Sequence, residues 1–219
     1  MNSKATVYVI DDAPEVRIAL SRLLASAGYH VRPFESAQRF LAEQDPEAPG
    51  CVLLDICMPG MSGLELQAAL RRSEIVRPIV FLTGVDDVET CARAMKAGAV
   101  DFLTKASDDA HLFAAVDQAL RVDREGRRTR AINQLIEQRI EALTPRERQV
   151  MEQVVFGRLN KQIAAELGTG EKTVKVHRAR VMSKMGARSV AELVQLAARV
   201  GVAIDPAQRM PGAWLAQLQ

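Results

Sequence analysis

Three aspartates stand where short apolar runs end. Asp11 and Asp12 follow the run 6–10, and Asp55 follows the run 51–54. If these runs are neighbouring parallel strands, their carboxyl ends meet at one edge of the sheet and bring the three carboxylates together. Converging carboxylates repel one another unless a cation neutralises them, and Mg²⁺ suits a few carboxylates plus waters. We therefore predict a magnesium site in which Asp55 also presents an oxygen as nucleophile toward a phosphoryl group.

Two further polar residues end apolar runs at the same predicted edge. Thr83 follows the run 78–82, and Lys105 closely follows the run 99–103. A hydroxyl and an ammonium group there would bind phosphoryl oxygens and compensate their charge. The alternative is that the aspartates are separately solvated in loops. The gathering of all five polar residues at strand ends argues against it.

The spacing of apolar residues predicts five β-α units in the first half. Short, nearly unbroken apolar strands are typical of parallel sheets buried on both faces, and a further strand is expected near residues 29–34. Right-handed crossovers place helices on both faces, so we predict an α/β fold with a doubly wound, flavodoxin-like, five-stranded parallel sheet. The predicted helices are near residues 14–28, 36–44, 62–73, 86–98 and 108–120.

Length and composition favour two domains. The chain has 219 residues, of which 48% are hydrophobic and 26% charged, as in globular proteins. No apolar run is long enough for a spanning helix, and the first residues lack a secretory signal. The three cysteines form no CxxC pair, so reduced thiols are expected. We expect a soluble, cytoplasmic protein without a membrane partner.

Charge is unevenly distributed. Residues 1–120 hold 11 basic and 17 acidic residues, giving −6, and residues 121–219 hold 18 and 10, giving +8. A basic half beside an acidic half suggests that the basic half binds a polyanion, although two ordinary solvated surfaces would give the same counts.

The second half contains only helical patterns. A connector, 121–142, is highly charged and then shows one apolar stripe, which could pack on its own domain or on a second copy; Gly126 is the expected hinge. Thr144, followed by proline and by Glu147, predicts a helix start. Residues 143–203 are then expected to form an all-α, four-helix domain before a tail, 204–219. The predicted helices are near residues 145–156, 160–167, 172–185 and 189–200.

Residues 160–185 fit a helix-turn-helix. A glycine-rich turn separates its two helices, and Val174, Val181 and Met185 mark the inward stripe of the second. Lys175 and Arg178 can then face outward, as a cationic helix entering the major groove requires. A solvated amphipathic helix is the alternative.

Residues 6–120 resemble the receiver domain of two-component response regulators. The resemblance implies that Asp55 accepts a phosphoryl group from a sensor histidine kinase, that the carbonyl of Cys57 completes the Mg²⁺ site, and that Thr83 and Phe102 form a coupled switch pair. It is carried by Asp11-Asp12, by Asp55 with Pro59-Gly60, by Thr83-Gly84, by Lys96-Ala-Gly-Ala99 and by Phe102-Leu-Thr-Lys105.

One departure concerns Lys105, which is followed by Ala106 where receivers usually carry a cis proline. A non-proline cis bond costs about 2.5 to 4 kcal/mol, so we expect either a trans bond with a shifted loop or a strained cis bond.

Residues 143–200 resemble the LuxR-type DNA-binding domain. The resemblance is carried by Leu143-Thr-Pro-Arg-Glu147, Gly157, Asn160-Lys161, Ile163-Ala164, Leu167, Thr173-Val174-Lys175, His177, Lys184 and Arg188. It implies that Lys175 and Val176 approach base edges. The implied candidates for phosphate contacts, which position the domain without reading sequence, are Lys161, Lys172, Thr173, Arg180 and Lys184.

Together these features predict a transcription regulator controlled by phosphorylation of Asp55. It would form a homodimer when phosphorylated and read a paired DNA site, with RNA polymerase as a further partner. Two alternatives remain. A phosphatase would need an acid/base carboxylate two residues after its nucleophile, where Cys57 stands. A phosphorylation-independent DNA-binding protein would use its receiver for dimerisation, a possibility raised by Ala106.

Overall fold

The computed structural model describes residues 5–73, 75–84 and 88–202. Contacts divide the chain into two compact units, with the boundary between Arg128 and Thr129. Among the described residues, no helix combines the length and the hydropathy that crossing a bilayer requires.

The first unit contains a five-stranded parallel sheet with the strand order β2-β1-β3-β4-β5. The central strands β1, β3 and β4 are buried along their whole length, as their unbroken apolar runs predict, whereas the edge strands β2 and β5 are partly exposed. The predicted doubly wound sheet is therefore confirmed. The strands are β1 Thr6–Ile10, β2 His30–Phe34, β3 Gly50–Asp55, β4 Ile79–Thr83 and β5 Asp101–Thr104.

Helices cover both faces of this sheet. Side chains alternate between the two faces along a strand, so Val7 and Val9 pack in a cluster with α1 and α5, and Tyr8 and Ile10 in a cluster with α2, α3 and α4. The expected start of the fourth helix at residues 86–87 lies outside the described residues. The helices are α1 Pro14–Ser26, α2 Ala37–Glu43, α3 Gly63–Arg72, α4 Val88–Lys96 and α5 Asp109–Glu141.

The predicted hinge at Gly126 is wrong, because α5 continues through it for 33 residues. A glycine inside a helix costs about 1 kcal/mol relative to alanine. Neighbouring contacts offset this cost: Arg127 Nε donates to both carboxylate oxygens of Asp123, at 2.9 and 3.0 Å, and Asp123 Oδ2 accepts from the backbone N–H of Gly50 at 3.0 Å. The turn around Gly126 is thereby fastened to the start of β3.

The second unit is helical. The apolar stripe at the end of α5 packs within this unit, since Ile136, Ile140 and Leu143 are buried in its core. Of the two expectations for the connector, packing within the chain is the one observed. The expected tail, 204–219, lies outside the described residues. The remaining helices are α6 Pro145–Val155, α7 Asn160–Glu166, α8 Glu171–Met185 and α9 Val190–Arg199.

Candidate functional site

The structure brings the three predicted carboxylates together. Asp11 and Asp12 follow β1, and Asp55 ends the neighbouring β3. One carboxylate oxygen from each lies within 4.8 Å of the others. Asp11 and Asp55 are 1% and 6% exposed, whereas Asp12 faces solvent. The site is therefore a pair of buried carboxylates with a third at its mouth.

Lys105 is the cation of this cluster. Its Nζ lies 2.8 Å from Asp11 Oδ2 and 2.9 Å from Asp55 Oδ2. Burial lowers the pKa of Lys105, but its contacts with the two carboxylates outweigh burial and raise the pKa above the usual value. The Lys105–Ala106 peptide bond is trans, and the lysine still reaches both aspartates. The departure at Ala106 thus leaves the ammonium group in place.

The donor set fits a hard divalent cation. Asp11 Oδ1 accepts from the backbone N–H of Ala13 at 2.9 Å, whereas its buried Oδ2 has no hydrogen-bond donor among the described residues. The 2.8 Å approach of Lys105 to that oxygen is an ion pair that lacks hydrogen-bond geometry. Carboxylate oxygens are hard ligands, and here one ammonium group serves two buried carboxylates, so a divalent cation would supply positive charge that the cluster still lacks.

Cys57 follows on the next loop. It is exposed, and its backbone N–H donates a long hydrogen bond of 3.4 Å to Asp55 Oδ1. The residue two positions after Asp55 therefore lies beside the carboxylate, and it carries a thiol where a phosphatase would need a carboxylate.

Thr83 and Phe102 lie on the neighbouring strands. Thr83 ends β4 and is 2% exposed, and its carbonyl accepts from Lys105 N at 2.7 Å. Phe102 is half-buried on β5 and is the register partner of Phe81, with ring centroids 6.5 Å apart. The predicted switch pair thus occupies the strand edge beside the acidic cluster.

Sequence reasoning missed two residues that shape this site. Arg17 Nη1 donates to the carbonyls of Asp11, at 2.6 Å, and Asp12, at 3.2 Å. Gly63 approaches the strand so closely that an added Cβ would lie 2.4 Å from the carbonyl oxygen of Asp55. Neither contact follows from local spacing, because each joins residues on different elements.

The second unit presents the predicted helix-turn-helix. Helix α7, a turn and α8 follow one another, and Val174, Val181 and Met185 form the buried stripe of α8 as predicted. We call α8 the recognition helix. Gly170 precedes it as a cap without a side-chain hydrogen bond. The exposed candidates for DNA contact are Lys161, Lys172, Thr173, Lys175, Val176 and Arg180.

Two candidate DNA contacts are engaged within the unit. Arg178 is half-buried and donates to Asn160 Oδ1 at 2.9 Å, which joins the two helices of the motif. Lys184 Nζ donates to Glu147 Oε2 at 2.6 Å and to the carbonyl of Ala142 at 3.0 Å. Arg178 and Lys184 therefore make charge-assisted contacts that stabilise the second unit.

The sequence matches two families. Residues 7–117 match the family described as response regulator receiver domain, and residues 141–197 match bacterial regulatory proteins, luxR family. Nodulation protein W of Bradyrhizobium diazoefficiens is 42% identical over 93% of this chain and 90% of that protein. Transcriptional regulatory protein FixJ of the same organism is 43% identical over 94% of this chain and all of that protein, 100%.

A solved structure shows the same likeness. The response regulator StyR has a TM-score of 0.80 and 46% identity to this chain, covering 90% of this chain and 99% of that one. The two family matches, their order and the high coverage agree with the acidic strand edge and the helix-turn-helix. The chain therefore belongs to the two-component response regulators that carry a LuxR-type DNA-binding domain and act as transcription factors.

Proposed function

We propose that Asp55 accepts a phosphoryl group from a sensor histidine kinase and that Mg²⁺ is held by Asp11, Asp12, Asp55 and the carbonyl of Cys57. The observation that carries this proposal is the contact of Lys105 Nζ with both Asp11 and Asp55. The lysine neutralises two buried carboxylates and stands where an incoming phosphoryl oxygen would need a positive charge. When bound, Mg²⁺ would reduce the repulsion between the carboxylate and the phosphoryl oxygens.

Thr83 and Phe102 then respond to the negative charge that the phosphoryl group adds at Asp55. We expect the hydroxyl of Thr83, at the end of β4, to donate to a phosphoryl oxygen on Asp55. Movement of Thr83 opens space for Phe102 to turn inward beside Phe81. Only the phosphorylated state makes these charge-assisted contacts, so they supply the differential free energy that shifts the equilibrium. The shape of the surface around β5 changes as a result, because Phe102 lies on this strand.

The output is DNA binding by a homodimer in the cytoplasm. Two copies of the second unit would read a paired site, with Lys175 and Val176 at base edges. RNA polymerase is the further partner that transcription control implies. Exposed cations on α7 and α8 support this proposal, because phosphate contacts orient a domain while side chains on the recognition helix read the bases. The proposed phosphate contacts are Lys161, Lys172, Thr173 and Arg180.

Acetyl phosphate and Mg²⁺ test the first step. We expect intact-protein mass spectrometry to show one acid-labile phosphoryl group on the wild type and none on Asp55→Asn. Asp109→Asn, which changes an exposed aspartate at the start of α5, should retain the adduct. An adduct that survives in Asp55→Asn would contradict the assignment. A DNase footprint that tightens with acetyl phosphate in the wild type and in Asp109→Asn, but not in Asp55→Asn, would link the adduct to DNA binding.

A further inference from the structure

The guanidinium group of Arg17 braces the loop that carries Asp11 and Asp12. Arg17 is the fourth residue of α1 and is half-buried. One nitrogen, Nη1, donates to two consecutive carbonyls, at 2.6 Å for Asp11 and 3.2 Å for Asp12. These are the peptide units whose side chains are proposed to hold Mg²⁺. The contact therefore acts on the backbone of the metal ligands rather than on the carboxylates themselves.

The loop needs such a brace because it places like charges side by side. Its other ties are the hydrogen bond from Asp11 N to the carbonyl of Phe34, at 3.2 Å, and the one from Ala13 N to Asp11 Oδ1, at 2.9 Å. Both act on Asp11 or on the residue after the pair. The hydrogen bond from Arg17, in contrast, reaches the carbonyl of Asp12, the exposed member of the cluster.

Arg17 also leaves the carboxylates free for a cation. Its positive end is satisfied by carbonyl oxygens, so it does not compete for Asp11 Oδ2, the buried oxygen without a donor. Partners that orient metal ligands without touching the metal strongly affect metal affinity. An arginine that fixes two peptide units is such a partner.

We propose that Arg17 is a positioning residue of the metal site, which orients the Asp11 and Asp12 peptide units so that their carboxylates converge before the cation binds. The proposal rests on the proposed function, since it assumes that this site binds Mg²⁺. Arg17 would then set the affinity for the cation from outside the set of ligands.

Magnesium titration of the full chain tests this role. Arg17→Met keeps much of the aliphatic stem but loses the donors, and Arg22→Met makes the same change at an exposed position on the same helix. We expect calorimetry to give a Kd for Mg²⁺ that is about 10-fold higher in Arg17→Met and unchanged in Arg22→Met. The rate of phosphorylation by acetyl phosphate should fall at low Mg²⁺ and recover at saturating Mg²⁺.

The outcomes separate this proposal from the function on which it rests. An Arg17→Met protein with a lower Tm but the wild-type Kd would overturn the positioning role, because a purely structural residue changes stability alone. If Arg17→Met does not fold, the Kd of Arg17→Gln decides, since glutamine is too short to reach both carbonyls and should also bind Mg²⁺ more weakly. A wild-type protein that binds no Mg²⁺ would overturn both proposals.

Discussion

Lys184 Nζ lies 2.6 Å from Glu147 Oε2 and ties the last turn of the recognition helix to the first turn of α6. Glu147 is 2% exposed, and its Oε2 also accepts from the backbone N–H of Thr144 at 2.9 Å. The hydrogen bonds from Lys184 and Thr144 lower the pKa of Glu147 to about 2. The family motif at the start of α6 therefore contains a buried carboxylate that anchors the recognition helix.

Acid should weaken this anchor. A carboxyl group whose pKa is lower in the folded state stabilises the fold fully above its unfolded pKa and loses that contribution as pH falls toward the folded value. For Glu147 the window runs from 4.5 down to about 2. We expect the free energy of unfolding of the wild type to fall more steeply across this window than that of Glu147→Gln, as measured by urea denaturation at several pH values. Parallel curves for the two proteins would contradict the role of this carboxylate.

Removing Lys184 should lower the stability of the domain more than it weakens DNA binding. Lys184→Ala leaves the buried Glu147 carboxylate without its cation, so we expect a lower Tm in differential scanning calorimetry. Lys172→Ala, at an exposed position at the start of the recognition helix, should leave Tm nearly unchanged. Lys172→Ala should, however, lower the slope of log K against log salt for DNA binding by about 1. Lys184→Ala should lower this slope by less. A larger slope change in Lys184→Ala would show that its charge serves DNA instead.

Once Lys105 is removed, the free energy of unfolding should depend on Mg²⁺ at the acidic cluster. Lys105→Met takes the counter-charge from Asp11 and Asp55 while keeping an apolar stem. We expect the free energy of unfolding without Mg²⁺ to fall by about 2 kcal/mol, less than the roughly 3–5 kcal/mol of a fully buried pair. The smaller value reflects the 25% exposure of the lysine side chain.

Added Mg²⁺ should restore part of this loss, because a cation can replace the ammonium charge. Lys96→Met, at an exposed position at the end of α4, provides the control and should unfold like the wild type. Urea denaturation with and without Mg²⁺ measures the effect. An equal loss for Lys105→Met at saturating Mg²⁺ would argue against a shared site.

The start of β3 should lose stability when Asp123 is neutralised. Asp123 is 4% exposed, pairs with Arg127 and accepts from Gly50 N, so Asp123→Asn weakens two charge-assisted contacts. We expect the free energy of unfolding to fall by about 1.5 to 3 kcal/mol in urea denaturation. Glu125→Gln, an exposed change on the same helix, should have almost no effect. Equal stability of the two variants would show that the network is dispensable.

Sequence-specific DNA binding should depend on Lys175. This residue is exposed on the recognition helix, next to the buried Val174. We expect Lys175→Ala to weaken binding to the cognate site by about 1–3 kcal/mol while changing binding to unrelated DNA little. Arg199→Ala removes an equal charge at the exposed end of α9 and serves as the control in gel-shift titrations. An unchanged footprint for Lys175→Ala would refute its assignment to the groove.

Local pattern determined most of the architecture and the acidic site. Unbroken apolar runs predicted the buried strands, and their ends placed Asp11, Asp12 and Asp55 at one edge because parallel strands share a direction. The capping residue before α6 and the inward stripe of the recognition helix were also predicted correctly. These features depend on neighbours within a few residues, which is the range over which periodicity carries information.

Only the tertiary structure decided what distant residues do for one another. Asp123 and Gly50 are 73 positions apart in the sequence, and Lys184 and Glu147 are 37 apart. Local residue spacing therefore predicts neither contact. The first contact holds the turn of α5 before Gly126 against the start of β3, and α5 continues through Gly126, where local propensity predicts a hinge. The second gives a structural role within the domain to a lysine for which the sequence predicts a DNA contact. In both cases folding buries a carboxylate. Because a buried charge is costly without a hydrogen-bond donor or a cation beside it, the packing of distant elements determines which residue becomes its partner.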